Sequence, residues 1–331
     1  MAKKRPKIVV LGGGTGSFTV LSGLRNYPVD LSAIISMADS GGSNRVLRDE
    51  FGILPTSDIR QCLVALADDA GDRKILRELF TYRFHRGTGI AGMTFGNLFM
   101  AALTDIYDSQ KKAIEETCKM LHIEGEILPI TLDDVQLVAR YENGHQVVGE
   151  HWIDEPRHDG RLRIVEIETI PRAKSFRKAI QAIMEADLVV LGPGDLYTSI
   201  VCNLIVKGIP QALKRTAAKV VYVMNLMARY GQSYKFTTHD HVAVLEKYLG
   251  KGVLDYVLVN KGKFSRAILR RYKEEKAFPV KDDLGNPKKY KVIRRDFLSS
   301  KIAKKAKGDK LRRSMIRHDP KKLARAIMKL L

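Results

Sequence analysis

Apolar positions along the chain fall into two rhythms. Short unbroken runs such as Ile8-Val9-Val10-Leu11 alternate with stretches where apolar residues return every three or four positions. Unbroken runs suit strands covered on both faces, as in a parallel sheet, and the wider spacing suits helices packed on that sheet. The pattern predicts strands over 8–11, 31–37, 187–191, 220–224 and 256–259. Helices are predicted over 18–26, 44–50, 59–67, 98–106, 111–122, 173–186 and 238–248. An amphipathic stretch over 74–84 carries Leu76, Leu79 and Phe80 on one face. Between 126 and 170 the runs are β-like and broken by the hairpin signals Glu142-Asn143-Gly144 and Arg157-His158-Asp159-Gly160. A last helix is announced by Asp319 as cap and Pro320 in the first turn, with Leu323, Ile327, Leu330 and Leu331 on one face. The expected fold is α/β: a Rossmann-like, doubly wound, mostly parallel sheet with a small antiparallel β excursion near 126–170. One domain is expected over 1–331.

The polar chemistry gathers where the predicted strands end. Gly12-Gly13-Gly14-Thr15-Gly16-Ser17 joins the first strand to the first helix. Glycine lets a ligand approach the backbone, and the helix start offers free N–H groups to a phosphate. Gly12 and Gly14 match a dinucleotide fingerprint, but its third glycine is Ser17 here, and no Gly-Lys-Ser/Thr follows as in a phosphate-binding P-loop. The second strand ends in Ala38-Asp39-Ser40-Gly41-Gly42-Ser43, which supplies Asp39 and Ser40. Ser57 or Asp58 is expected to cap the next helix, with Asp58 and Arg60 facing the strand ends. A glycine-rich stretch over 84–97 leads to Asn97. A third strand-end loop contributes Gly192, Gly194, Asp195, Tyr197, Thr198 and Ser199, and a fourth contributes Asn225.

The net charge of +20 is unevenly spread. Residues 251–331 hold 26 Lys and Arg against 8 Asp and Glu, whereas the first 250 residues are nearly balanced. A basic block of this kind can bind nucleic acid or an anionic surface. It holds no recognised nucleic-acid module and few aromatic residues, so a solvated basic face is the favoured reading. Cys62, Cys118 and Cys202 are scattered without metal-ligand spacing. No apolar run approaches a membrane span, and the basic start leads into a strand rather than a signal-peptide core. A cytoplasmic protein is expected, and a symmetric homo-oligomer is the commonest assembly.

Several segments, in order over nearly the whole chain, resemble the YvcK/CofD family: VVLGGGTGSFTVLSGL, ADSGGSNRVLRDEFGILPTSDIRQCLVALA, GNLFMAAL, ILPITLDDVQLVARYENG, ADLVVLGPGDLYTSIVCNLIVKGI, VYVMNLMARYGQSYKFTTHDHV and RHDPKKLARAI. GPGDLYTSI and ITLDD are similar to the YvcK branch. The chain departs from the family pattern at four places. Ser40 stands where a second aspartate is usual, Thr56-Ser57 where Pro-Gly is usual, and Met93 where a histidine is frequent. Ala228 to Ser233 stand in place of Thr-Gln-Pro-Gly-Glu-Thr.

The resemblance implies a ligand across the switch point of the sheet, with Gly12 to Gly16 and Thr15 on a diphosphate. Asn225 and the loop Asp195 to Ser199 would line the other half. The YvcK branch implies a UDP-sugar-binding regulator linked to carbon metabolism, cell-wall synthesis and cell shape, without turnover. The CofD branch implies a 2-phospho-L-lactate transferase that moves a phospholactyl group from a guanosine-diphosphate donor to a deazaflavin. That reaction would use magnesium, with Asp39 as its candidate ligand and Asp39 and Asp58 as catalytic candidates. The altered carboxylate set favours the regulator. No redox cofactor is expected, although Asp39 could hold a ribose as in a nicotinamide site.

Overall fold

The computed structural model describes residues 4–67, 73–303 and 314–331. Among the described residues twelve strands form in chain order: β1 Lys7–Gly12, β2 Asp30–Ile35, β3 Glu126–Pro129, β4 Gln136–Tyr141, β5 Gln146–Val148, β6 Ile164–Ile170, β7 Leu188–Leu191, β8 Lys219–Val223, β9 Met227–Ala228, β10 Tyr256–Asn260, β11 Phe278–Pro279 and β12 Lys291–Arg295. Seven make one sheet in the order β12-β10-β8-β7-β1-β2-β3. Every pairing in it is parallel. β4, β5 and β6 form a separate antiparallel sheet.

The strand order reverses beside β1. From β1 the chain runs outward to β2 and β3, then returns to β7 and proceeds the other way through β8, β10 and β12. In such a sheet the first and returning strands leave a crevice above their carboxyl ends, because the connections on either side go to opposite faces. The central strands are buried along their length: Ile8, Val10, Leu11, Leu188, Val189, Val190 and Leu191 have no exposed surface. Their continuous apolar runs follow from cover on both faces.

Helix α1 (Gly14–Leu24) packs against α3 (Ser57–Leu66) and against the terminal helix Pro320–Met328, so the end of the chain is sewn to its beginning. Asp319 caps the terminal helix, its side chain accepting the Lys322 N–H at 2.9 Å. Leu323 and Ile327 are buried, whereas Leu331 is 42 % exposed and lies off the packed face.

Three local expectations are corrected, and one strand is added. The antiparallel excursion begins at Gln136 rather than 126, because β3, with Ile127 and Leu128 buried, joins the edge of the main sheet beside β2. Thr56, not Ser57 or Asp58, stands at the cap of α3, and no side chain caps it. Helix Arg73–Thr81 turns Phe80 into the core but leaves Leu79 outside. The opposite edge of the sheet, β12, carries no clear apolar run, and its pairing to β10 is what makes it a strand. Among the described residues no helix is long and apolar enough to cross a membrane.

Gly23 marks the closest approach of α1 to the terminal helix: a Cβ there would lie 2.2 Å from the Pro320 carbonyl oxygen. Backbone cannot yield as a flexible side chain can. Gly23→Ala is expected to destabilise the protein by about 1–3 kcal/mol, measured by urea unfolding, with the terminal helix displaced rather than α1.

Candidate functional site

The crevice at the switch point is a cavity of ≈ 240 Å³. Its floor is the start of α1. The cap position, Gly13, has no side chain to offer, so the first N–H groups of α1 lack a side-chain cap. Gly14, Thr15 and Gly16 line the cavity. A Cβ on Gly16 would sit 1.6 Å from the Pro193 carbonyl oxygen, and one on Gly14 would sit 2.3 Å from Asp58 Oδ1 and 2.2 Å from Gln61 Nε2. Glycine at these positions lets the loop after β7 and the start of α3 close on α1. Thr15 Oγ1 donates to Gln61 Oε1 at 2.9 Å, which fixes the threonine side chain against α3.

A second wall comes from β2. Asp39 accepts the Gly41 N–H at 2.8 Å and the Asn44 side-chain amide at 2.6 Å. These bonds hold its carboxylate at the mouth of α2 (Gly42–Phe51), whose N-terminus carries no other side-chain cap. Asp58 enters from the first turn of α3.

The third wall is the turn after β7. The Asp195 carbonyl accepts the N–H groups of Ser199 and Ile200 at 2.9 and 3.2 Å, closing a wide helical turn that brings Thr198 and Ser199 to the cavity. Asn225 accepts the Gly194 N–H at 3.1 Å and ties that turn to the end of β8. Arg229 pairs with Asp195 and, at 3.0 Å, with Asp154. Gln232 completes the network through Asp154 (2.9 Å) and Thr198 (3.0 Å).

The cavity therefore brings together Gly14, Thr15, Gly16, Asp39, Asp58, Gly194, Asp195, Thr198, Ser199 and Asn225 from the residues singled out in the sequence. The others lie outside its lining. Gly12 and Gly192 are backbone beneath the floor, the Gly192 N–H bonding the Leu11 carbonyl at 2.9 Å. Gly13 backs onto Ser199 and Asp58. Ser40 accepts the His151 N–H at 3.1 Å, so it joins the β2 loop to the helix Glu150–Asp154.

Arg60 and Asn97 are buried and bonded to each other at 2.9 Å, away from the cavity. Tyr197 is buried too, its hydroxyl donating to the Ile164 carbonyl at 3.1 Å and pinning β6 to the turn after β7. Their polar groups are consumed inside the fold, which is why their position near strand ends did not place them in the cleft.

Glu150, His151, Asp154, Gln61 and Arg229 line the cavity without having been singled out. Glu150 to Asp154 follow a hairpin, and nothing local marks them for the site. Arg229 and Gln232 carried a signal, since they lie in the segment where the chain departs from the family pattern.

The site is acidic. Burial, and then the nearby Asp39, Asp154, Asp58 and Asp195, push Glu150 well above the usual carboxylate range. Burial also raises Asp195, while Arg229 pulls it the other way. Burial opposes charge on Arg229, but Asp195 and Asp154 outweigh it and hold the guanidinium firmly protonated. His318, also on the lining, is lowered by burial to about 4 and stays neutral.

Because folding raises the Glu150 pKa, the native state holds a proton that the unfolded chain loses first. Stability from this group is therefore lost as pH rises above the ordinary glutamate value. Glu150→Gln is expected to melt like the wild type near pH 4.5, about the ordinary glutamate pKa, and increasingly above it as pH rises to 8. Melting curves across that range test it.

A family profile described as 2-phospho-L-lactate transferase CofD matches residues 8–298. The gluconeogenesis factor of Bacillus subtilis (strain 168) is 37 % identical over 330 residues, spanning 99 % of this chain and 99 % of that protein. A crystal structure of a UPF0052 family member from Bacillus halodurans superposes with a TM-score of 0.88 at 34 % identity, covering 99 % of this chain and 100 % of that one. A second crystal structure of that Bacillus halodurans protein gives 0.89 over 98 % of this chain.

Proposed function

The chain belongs to the CofD family, and we propose that its cleft binds a nucleoside-diphosphate sugar of the UDP-sugar class as a regulatory ligand, without turnover. Carbon metabolism, cell-wall synthesis and cell shape are the processes such a regulator would serve. The observation that carries this reading is the uncapped start of α1, open to the cavity at the switch point of the sheet. Backbone N–H groups at a helix start are a ready site for phosphate oxygens. The wall of Thr198, Ser199 and Asn225 supplies hydroxyl and amide groups suited to a ribose or sugar.

The carboxylates set a condition. At an effective dielectric constant near 20, two like charges 4 Å apart repel by about 4 kcal/mol. A diphosphate facing Asp39 and Asp58 would therefore enter with a divalent cation. Carboxylate oxygens suit magnesium, which is commonly held by one or two carboxylates together with substrate phosphates. Asp39 and Asp58 are the residues that would hold it, and its chemistry there is neutralisation of phosphate charge. Among the described residues no three His, Cys, Asp or Glu side chains gather as a metal cage, so ligand oxygens would complete the coordination.

The β2 loop brings one carboxylate rather than two, and Asp154 and Asp195 are bound to Arg229. Few groups are left to act as a base, which supports binding over transfer. The 2-phospho-L-lactate transferase reading rests on the family description and on Glu150, a carboxyl held neutral beside Asp39 and Asp58.

Thermal-shift titrations with UDP-N-acetylglucosamine, UDP-glucose and GDP, each with and without magnesium, test the proposal. A ligand at 100 times its Kd stabilises the native state by about 2.7 kcal/mol. UDP-sugars are expected to raise the Tm only with magnesium, and Asp58→Asn is expected to remove that dependence. Magnesium-dependent consumption of a guanosine-diphosphate donor would replace the regulator by the transferase. No shift with any nucleotide would overturn both.

A further inference from the structure

The cavity runs across the sheet in strand order. Asp39 follows β2, Gly14 to Gly16 follow β1, Gly194 and Ser199 follow β7, and Asn225 to Met227 follow β8. A nucleoside diphosphate seated on the start of α1 therefore has two unlike flanks beside it. On the β2 side the lining is polar: Asp39, Glu150 and His151 stand there, and His151 is held to the β2 loop through Ser40. On the β8 side it turns apolar. Leu226, Met227, Tyr272, Ala277 and Ile316 line that end and pack together as a cluster separate from the main core. Carboxylates accept from the hydroxyls of a sugar, whereas apolar walls suit a flat heterocycle.

The apolar flank is closed by a late segment of the chain. The Tyr272 hydroxyl, on helix Arg266–Glu274, accepts the N–H groups of Met315 and Ile316 at 2.9 and 3.1 Å. His318 follows, bridged to Leu298. It lines the cavity yet is only 7 % exposed. Its ring is bonded to the Met224 backbone just past β8, and burial keeps it neutral. A neutral imidazole that donates to a carbonyl through one nitrogen accepts through the other. Among the described residues no donor lies within hydrogen-bond distance of that second nitrogen. Glu275 and Arg317, the charged groups of the same flank, already have partners.

We propose that the base of the ligand lies on the β8 flank and that His318 selects it by accepting its ring N–H, so that uridine and guanosine diphosphates are taken in preference to those of cytidine and adenosine. The inference rests on the nucleotide reading of the cleft and adds the direction of the ligand and the group that reads its base. Uracil and guanine each carry a ring N–H on the edge that faces outward from the ribose. Cytosine and adenine carry a lone pair at the corresponding nitrogen, and against the His318 acceptor both would go unsatisfied. The diphosphate sits on α1, the ribose meets Thr198, Ser199 and Asn225, and the sugar extends toward Asp39 and His151.

Calorimetric titration of the wild-type chain with UDP, GDP, CDP and ADP, all with magnesium, tests the selection. UDP and GDP are expected to bind roughly ten to a hundred times more tightly than CDP and ADP, the cost of a buried acceptor left unpaired. Equal affinity for all four would overturn the selection and leave the nucleotide reading standing. Failure of all four to bind would overturn that reading and this inference together. His318→Phe keeps a ring and removes the acceptor. It is expected to bring UDP down to the level of CDP while CDP binds as before, and an equal loss for both would mark a merely structural role and overturn the selection. The direction is read by adding UDP-N-acetylglucosamine. With the base on the β8 flank, His318→Phe weakens UDP and UDP-N-acetylglucosamine by the same factor. A loss confined to the sugar nucleotide would put the sugar there and overturn the orientation. The wild-type comparison decides the selection even where the variant fails to fold.

Discussion

No atom can be added to Gly16 without striking the Pro193 carbonyl. That approach joins the two halves of the sheet at the point where their order reverses. β1 feeds α1 upward on one side, and β7 feeds its own turn on the other. Only because the two backbones touch there do the start of α1 and the polar turn after β7 become opposite walls of one cleft. Gly14 repeats the constraint toward Asp58 and Gln61, bringing in α3. The three walls are therefore fixed by backbone contacts, and the side chains that line them inherit their positions.

On that frame the cleft balances opposed charges. Helix starts favour anions through their free N–H groups, yet the lining is rich in carboxylates. Arg229 resolves part of the conflict by neutralising Asp154 and Asp195, and Glu150 resolves more of it by keeping its proton. Asp39 and Asp58 also line the cavity, beside the start of α1. The proposed cation with its phosphate would meet both tendencies at once.

The antiparallel sheet also serves the site. β6 is pinned by Tyr197, and the helix Glu150–Asp154 that follows β5 is tied to Ser40 and to Arg229. Away from the cleft, polar groups satisfy one another from Asp39 through Asn44, Ser57, Asn97 and Arg60 to the Phe80 carbonyl.

The sequence by itself determined the layered α/β architecture, because continuous apolar runs and helical spacing are local properties that burial on a parallel sheet requires. It also determined the glycine loop, Asp39 and the Asp195 turn as strand-end features, since strand ends are where such sheets place ligands, and Asp58 as a helix-start residue facing them. It did not place β3, whose short run reads equally as part of a hairpin region, nor β12, which is a strand only through its partner. Leu79 shows the limit of periodicity: the spacing identified an apolar face but not which residues of it meet the core. Only the tertiary structure sent Arg60, Asn97 and Tyr197 inward and brought Glu150, Asp154 and Arg229 to the cleft. Which partner a polar side chain finds depends on what another segment, distant in the chain, carries to within 3 Å of it.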